Sequence, residues 1–242
     1  MDLSLRDKKI VVTGAGQGIG NELCKTLVNM NAQVIAVSRS LGPLEALKSE
    51  CPSIEIIQVD LSDWNATTEA LKAIDRVDGL VNNAGIAIIK PYEELTEQEF
   101  DTTFNINIKA AFHVCQLLIP KMPSGASIVN LSSLASIKAF QGHSVYSMTK
   151  AAMDAMTKSL ACELGPKKIR VNSVNPTVIL NRMGRENWSD PAKADPLIAK
   201  IPLARFGEVQ DVVEPIVYLL SDKSRYINGH CLPVEGGYLA GN

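Results

Sequence analysis

Short apolar runs of strand length alternate with segments of helical periodicity along most of the chain. The runs lie at residues 10–12, 34–37, 54–59, 79–81, 128–131, 169–174 and 230–234. The helical segments cover residues 18–30, 41–50, 63–74, 97–119, 145–165 and 208–221. Because the runs carry few charges, both faces of the sheet that they form are expected to be covered. The alternation predicts an α/β fold, with one doubly wound parallel sheet flanked by helices on both faces, in a single domain of residues 1–242.

Composition and charge exclude several classes of protein. The chain has 242 residues, of which 46% are hydrophobic, so it is long enough to bury a large core. Its 24 basic and 26 acidic residues give a net charge of −2, which provides no attraction for nucleic acid or an anionic membrane. The first residues lack the apolar stretch of a secretory signal, and no run approaches the roughly 18 apolar residues of a membrane span. We therefore expect a cytoplasmic protein without a membrane segment.

The cysteines are scattered singly along the chain. They are Cys24, Cys51, Cys115, Cys162 and Cys231. None forms a CxxC pair or a cluster with histidine, so the sequence predicts neither a disulfide framework nor a metal site. Reduced and mostly buried thiols are expected instead.

The least regular stretch covers residues 176–206. It contains Pro176, Gly184, Pro191, Pro196 and Pro202. The stretch is long for a loop in a compact domain, and long loops of this kind often cover a binding site. We expect it to act as a lid over a substrate.

A glycine-rich loop links the first strand to the first helix. It contains Gly14, Gly18 and Gly20, with Gln17 and Ile19 between them. Glycines there allow backbone N–H groups to approach a pyrophosphate, and the N-terminus of the helix favours its negative charge. The position of the loop, more than its composition, indicates a dinucleotide site, because a glycine-rich turn also occurs without a ligand.

The end of the second strand indicates which dinucleotide is bound. Ser38 and Arg39 stand where a chain that binds NAD usually has an acidic residue for the ribose hydroxyls. A guanidinium can instead take the 2′-phosphate of NADP in a forked, charge-assisted pair. Arg39 therefore favours NADP(H), although an arginine in a loop can also simply point into water.

Two further strand ends carry residues that suit a nucleotide. Asp60 and Leu61 end the third strand, where the Asp60 carboxylate can either accept a hydrogen bond from the adenine amino group or cap the following helix. Asn83, Ala84 and Gly85 follow the fourth strand. Small and amide residues at that point can lie close to a cofactor and tie strands together. The tetrapeptide NNAG at 82–85, taken alone, is typical of a turn.

Tyr146 and Lys150 lie four residues apart in a helical segment, which places them one turn apart on one face. Ser133 follows the fifth strand, where open α/β sheets bind ligands, and Asn107 is an amide among apolar helical residues. A phenol with a pKa of about 10 needs a shift of about 3 units, or roughly 4 kcal/mol, to exchange protons near pH 7. An ammonium about 4 Å away supplies roughly 4 kcal/mol at an effective dielectric of about 20. The four residues therefore suit carbonyl reduction, with Ser133 orienting the substrate oxygen.

Taken together, these motifs resemble those of the short-chain dehydrogenase/reductase family. The matching stretches are TGAGQGIG at 13–20, NNAG at 82–85 and YSMTK at 146–150, with Asn107 and with Ser133 thirteen residues before Tyr146. The resemblance implies a seven-stranded Rossmann-type sheet and a Ser–Tyr–Lys mechanism in which Tyr146 is the general acid/base. It also implies that Lys150 binds the ribose and lowers the tyrosine pKa, and that Asn107 holds a water in a proton relay. A homotetramer packed through the helices of Asn107 and Tyr146 is implied as well.

One subgroup of this family, which uses NADPH to reduce a keto sugar and small α-dicarbonyls, is the most similar. The resemblance implies that His143 and Trp188 border the sugar; a helix cap and a hydrophobic anchor of the lid are the alternatives for these residues. It adds cofactor contacts from Pro176, Thr177, Ile179 and Asn181. Gln17 stands where the subgroup often has a lysine, and Asn181 replaces a threonine, so Arg39 is the main expected contact of the 2′-phosphate.

Three hypotheses for the function remain open from the sequence. The first is an NADPH-linked reductase of a small polar sugar and dicarbonyls, for which a polar pocket at His143 is expected. The second is a reductase of 3-oxoacyl thioesters or steroids, which requires a long apolar groove. The third is a catalytically silent nucleotide-binding scaffold, which has no need for a tuned phenol.

Overall fold

Seven parallel strands form a single sheet in the computed structural model, which describes residues 3, 5–181, 184–185 and 188–241. The strands are β1 (Lys9–Thr13), β2 (Gln33–Ser38), β3 (Glu55–Gln58), β4 (Gly79–Asn82), β5 (Ser127–Leu131), β6 (Arg170–Pro176) and β7 (Cys231–Val234). Their order is β3-β2-β1-β4-β5-β6-β7, and every neighbouring pair is parallel. The order reverses between β1 and β4, which is where a doubly wound sheet opens a ligand crevice. The predicted fold class is confirmed.

Helices cover both faces of the sheet. They are α1 (Gly18–Asn29), α2 (Leu41–Glu50), α3 (Trp64–Leu71), α4 (Glu97–Phe104), α5 (Ala110–Leu118), α6 (Ser144–Leu164), α7 (Pro191–Ile198), α8 (Val209–Leu220) and α9 (Tyr238–Gly241). Apolar residues of α1, α2 and α8 build the core on one face, and those of α3, α5 and α6 build the core on the other. Both faces of β1 are therefore buried, which explains its continuous apolar run.

The segment that was predicted as one helix over 97–119 is instead interrupted. It begins with a capping box between Thr96 and Glu99, which satisfies the first N–H groups of α4. Between α4 and α5 the chain makes a π-helical turn, Asn105–Lys109. Such turns are rare and often mark functional sites. The helix predicted over 63–74 is also too long, because α3 ends at Leu71.

Among its described residues, the predicted lid, 176–206, contains a helix that the sequence pattern did not indicate. This helix, α7, begins where the Asp190 side chain accepts a hydrogen bond from the Ala192 N–H at 3.0 Å. Before it, Ile179 forms a parallel bridge with Gly207, so the segment is tied to the body of the protein at that point. Residues 182–183 and 186–187 of the predicted lid, and residues 1, 2, 4 and 242 of the predicted domain, lie outside the described residues.

All the cysteines are free thiols, but they are less buried than expected. Cys24 and Cys115 are buried, while Cys162 is exposed because it lies on the outer face of α6. Burial raises the pKa of Cys24 to about 12, and a nearby thiol, Cys51, adds to the shift. Among the described helices, none combines the length and the apolar character needed to cross a membrane.

Candidate functional site

The glycine-rich loop packs directly against the residues that follow the neighbouring strand β4. Asn83 donates through Nδ2 to the backbone carbonyls of Thr13 (2.9 Å) and Gly14 (3.1 Å). The Thr13 hydroxyl accepts from the N–H groups of Asn83 (3.0 Å) and Ala84 (3.1 Å). A Cβ at Gly20 would lie 2.5 Å from Asn83 Nδ2, so no larger side chain fits there. The tie between strands expected from Asn83 is therefore present, and Thr13, which was not predicted as a site residue, completes it.

Two other positions of the loop require glycine for different reasons. A Cβ at Gly16 would lie 2.8 Å from Ser38 Oγ, so this glycine allows the loop to approach the end of β2. Gly18 has a φ of +59°, a conformation that side chains disfavour. Gln17 occupies the N-cap of α1 without a side-chain cap hydrogen bond. Backbone N–H groups at this terminus therefore lack a side-chain cap from Gln17, and this donor set suits the pyrophosphate of a dinucleotide.

Arg39 and Asp60 lie close together at the carboxyl ends of β2 and β3. Burial works against ionisation of Asp60, but hydrogen bonds from the hydroxyl (2.7 Å) and N–H (3.0 Å) of Ser62, with the charge of Arg39, hold the pKa of its carboxyl below the usual value. The cap of α3 is Asp63, which accepts from the Ala66 N–H at 2.9 Å. Of the two alternatives for Asp60, capping of the helix is therefore wrong. Arg39 is exposed and forms no ion pair with the described residues.

The predicted catalytic residues converge at the carboxyl edge of β5. Ser133 lies on the short turn after this strand, and its side chain is close enough to the Tyr146 phenol, near the start of α6, to lower the pKa of that group. One helical turn further, the Lys150 ammonium lies 5.6 Å from the centroid of the Tyr146 ring. Lys150 Nζ also donates to the backbone carbonyl of Leu131 at 2.7 Å, which fixes the long side chain along the edge of the sheet.

Burial dominates the electrostatics of this group. It raises the pKa of Tyr146, and the hydrogen bond with Ser133 opposes the shift. This direction is opposite to the one expected from Lys150, because desolvation of the phenolate outweighs the other contributions. Burial also lowers the pKa of Lys150 to about 8, while the negative charge of Asp154 raises it. Lys150 therefore still carries its proton at neutral pH.

Asn107 lies inside the π-helical turn and is fully buried. Its amide donates to the Ile86 carbonyl (2.9 Å) and to Thr149 Oγ1 (3.0 Å) and accepts from the Ile86 N–H (2.8 Å). A Cβ at Gly85 would lie 3.3 Å from Asn107 Oδ1 and 3.6 Å from Lys150 Nζ. Asn107 thus links the chain after β4 to α6 beside Lys150. Since both of its N–H groups have protein partners, a relay water would have to use its remaining acceptor capacity or its backbone.

The two residues predicted to border the substrate have different surroundings. His143 is the N-cap residue of α6, as its alternative interpretation requires, although its side chain accepts no hydrogen bond from a backbone N–H of the helix. Its Nδ1 lies 2.8 Å from the Gln141 carbonyl, and its ring is 6.2 Å from that of Tyr146. Trp188 contacts Phe206 with ring centroids 5.6 Å apart. Trp188 packs against the small core under the predicted lid, as its alternative interpretation requires.

The remaining predicted cofactor contacts lie along the chain that leaves β6. Pro176 is buried at the end of the strand, and the Thr177 N–H donates to the Val234 carbonyl at 3.2 Å. The side chain of Ile179 is buried, so it contributes to the core. Asn181 Nδ2 lies 3.5 Å from the position of a Cβ on Gly18, while Asn181 Oδ1 accepts from the Gly184 N–H at 2.8 Å. Leu61, on the far side of the site, packs against the core around β3.

A cluster of buried polar groups beneath Ser133 was not predicted. Asp154 Oδ2 accepts hydrogen bonds from Ser136 Oγ (2.5 Å) and Asn175 Nδ2 (2.8 Å), and its Oδ1 accepts from Ser173 Oγ (3.1 Å). One signal was available in the sequence, because Asp154 stands four residues after Lys150 on the same face of a helix. The partners from β6 could not be inferred, since they become neighbours only in the folded sheet.

Comparison with known proteins agrees with this arrangement. A family model described as enoyl-(acyl carrier protein) reductase matches residues 14–239. The L-xylulose reductase of Mesocricetus auratus is 49% identical over 243 residues, covering 99% of both chains. Carbonyl reductase (NADPH) 2 of Sus scrofa is 46% identical over 99% of this chain and 100% of its own. A solved structure from Beutenbergia cavernae, named as a candidate NAD(P)-dependent gluconate 5-dehydrogenase with bound NADP, has a TM-score of 0.94 at 31% identity, covering 99% of this chain and 100% of that one.

Proposed function

Because the chain belongs to the short-chain dehydrogenase/reductase family and is an oxidoreductase of CH–OH or carbonyl groups, we propose that it reduces L-xylulose to xylitol with NADPH and also reduces small α-dicarbonyls. The observation that carries the proposal is the convergence of Ser133, Tyr146 and Lys150 at the carboxyl edge of β5, with the Lys150 ammonium 5.6 Å from the centroid of the tyrosine ring. A protein that only binds a nucleotide has no use for this constellation. The relatives named as L-xylulose and carbonyl reductases support the choice of substrate.

The reaction needs a hydride on carbon and a proton on oxygen. When bound, a reduced nicotinamide supplies the hydride. Tyr146 donates its phenolic proton to the substrate oxygen, and the Ser133 hydroxyl holds that oxygen by a hydrogen bond. The Lys150 ammonium stabilises the resulting phenolate and holds the ribose hydroxyls. Asn107 keeps the chain at Gly85 against Lys150, so that the ammonium stays in place as charge develops on Tyr146.

NADPH is proposed over NADH because of the charges at the end of β2. Arg39 is exposed there and forms no ion pair in the described part of the chain; Ser38 carries no charge, and the nearby Asp60 carboxylate is already hydrogen-bonded to Ser62. A forked guanidinium pairs well with a 2′-phosphate. The bound NADP of one structural neighbour and the NADPH in the name of one relative support the same cofactor.

A second candidate substrate is a 3-oxoacyl thioester, because the matching family model is named for an enzyme that acts on acyl chains attached to acyl carrier protein, although the enoyl group in that name is a carbon–carbon double bond and not a carbonyl. The surroundings of Tyr146 favour the smaller substrate. The His143 ring lies 6.2 Å from the Tyr146 ring and 5.7 Å from that of Phe140, so a polar group is available beside the phenol for a hydroxylated substrate.

Turnover of NADPH with L-xylulose, diacetyl, a 3-oxoacyl thioester and a ketosteroid tests the proposal. We expect turnover with L-xylulose and diacetyl and none with the steroid. Brisk turnover of the thioester without turnover of L-xylulose would reject the assignment. The same assay with NADH tests the choice of cofactor, which equal efficiency of the two cofactors would contradict.

A homotetramer is proposed as the assembly. The outer faces of the π-helical turn and of α6 form an apolar concavity that includes Phe104, Ile108, Ala152 and Met156. Phe112, which is 51% exposed, lines the same concavity, so the exposed apolar side chains here form a patch. Light scattering coupled to size exclusion measures the assembly, and a monomer at micromolar concentration would contradict it.

A further inference from the structure

Asp154 is a buried acid that the proposed mechanism does not use. It lies on α6, one helical turn after Lys150, and only 7% of its surface is exposed. Both of its carboxylate oxygens accept hydrogen bonds from side chains: Ser136, Ser173 and Asn175. A buried carboxylate is costly unless it is compensated, so its place behind the reactive group calls for a reason.

The partners of Asp154 lead directly to the catalytic serine. Ser136 Oγ lies 2.7 Å from the backbone carbonyl of Ser133, and Asn175 Nδ2 lies 3.3 Å from the same carbonyl. The hydroxyl of Ser136 and the amide of Asn175 are themselves 2.9 Å apart. The single Ser136 proton can go to the carboxylate or to the Ser133 carbonyl, but not to both, whereas the two N–H groups of Asn175 can serve Asp154 and the Ser133 turn together. The carboxylate therefore anchors the side chains of Ser136 and Asn175 beneath the turn that carries Ser133.

The charge of Asp154 acts on the second catalytic group. Its negative charge raises the pKa of Lys150, against the lowering caused by burial. The other titratable groups around this pair are Tyr146 and Lys158 on the same helix and Cys231 on β7. The groups that face the carboxylate from β6 and from the Ser133 turn are neutral hydroxyls and an amide.

We propose that Asp154 is a positioning residue for the reaction, which supports the Ser133 turn through the side chains of Ser136 and Asn175 and places a carboxylate one helical turn behind the Lys150 ammonium. The inference rests on the proposed function for its catalytic consequence, although its effect on NADPH binding is independent of any substrate. One buried carboxylate then supports both the Ser133 turn and the Lys150 ammonium.

The variant Asp154→Asn separates charge from packing. The amide has the same shape; its oxygen can accept from Asn175, and its N–H can donate to the Ser173 hydroxyl. Without the negative charge, the pKa of Lys150 falls further. We expect the alkaline loss of kcat/KM to move to lower pH by about one unit. Affinity for NADPH should fall several-fold at pH 8 and change less than about twofold at pH 6.

Ser136→Ala is the matched control, because it keeps the charge of Asp154 and removes the hydroxyl that lies between the carboxylate and the Ser133 carbonyl. We expect a lower kcat with an alkaline limb at the wild-type pH. An Asp154→Asn profile that superimposes on the wild-type profile after scaling would overturn the proposal, as would an equal shift in Ser136→Ala.

The NADPH titration distinguishes this proposal from the function on which it rests. If the wild-type protein turns over none of the carbonyl compounds, the proposed function fails, and the pH dependence of NADPH affinity still tests Asp154. Asp154→Ser removes the same charge with a smaller side chain, for use if the amide variant does not fold. Loss of folding in both variants would also overturn the proposal, since it would assign Asp154 to stability alone.

Discussion

The nucleotide half and the catalytic half of the sheet are built on different physical principles. Around β1 the chain relies on missing side chains, because Gly14 and Gly20 let two backbones meet the amide of Asn83. Around β5 and β6 it relies on buried polar side chains, such as Asn130, which accepts from Asn82 (2.8 Å) and donates to the Thr157 hydroxyl (2.8 Å). The first half is therefore sensitive to added volume, and the second to a lost hydrogen bond.

The largest effect is expected at the catalytic half, from Tyr146→Phe. This variant removes the proton donor and keeps the ring beside Lys150. We expect kcat for carbonyl reduction to fall about 10³-fold or more. The dissociation constant of NADPH, measured by fluorescence titration, should stay within about twofold because Lys150 still holds the ribose. Near-normal turnover would mean that another group donates the proton.

The second prediction concerns the buried amides of the same half. Asn130→Ala leaves a cavity and removes one partner each from Asn82 and Thr157. We expect the free energy of unfolding to fall by about 2–4 kcal/mol, measured by urea denaturation without cofactor. Asn21→Ala is the control in the nucleotide half, where a single long hydrogen bond of 3.4 Å to Ala15 is lost. A larger loss in the control would reverse the comparison.

The third prediction tests the sensitivity of the nucleotide half to volume. Gly14 has a φ of +67°, and a Cβ there would lie 2.8 Å from the Cα of Ala84. We expect Gly14→Ala to reduce the free energy of unfolding by about 1–3 kcal/mol. Gly42→Ala is the matched control, because it lies in α2 with nothing within 4 Å, and it should stabilise the protein by about 0.5–1 kcal/mol. Equal effects of the two substitutions would show that close approach is not the constraint.

The smallest effect is expected from Arg39→Ala, which changes neither the core nor the backbone. We expect kcat/KM for NADPH to fall about tenfold, equivalent to about 1.4 kcal/mol, and that for NADH to stay unchanged. The ratio of the two steady-state values is the measurement. A parallel fall with both cofactors would assign Arg39 to the general shape of the loop.

The sequence predicted those features of each half that depend on residues close together in the chain. The loop at 13–20 lies between two adjacent elements, so its composition and position were enough to indicate its place. Tyr146 and Lys150 share one helix, and their spacing alone put them on one face. The π-helical turn at 105–109 and the helix α7 were missed, because an amide in an apolar run and a proline-rich segment do not reveal their tertiary partners.

The sequence by itself determined the alternation of strands and helices, the dinucleotide loop and the Tyr146–Lys150 pair, because each depends on periodicity or on contacts between near neighbours. Only the tertiary structure decided that burial raises the pKa of Tyr146 and that Asp63, not Asp60, caps α3. It also decided that Asp154 stands behind Ser133. Burial and hydrogen bonding between residues far apart in the chain arise only when β5, β6 and α6 pack together, and no local pattern records them.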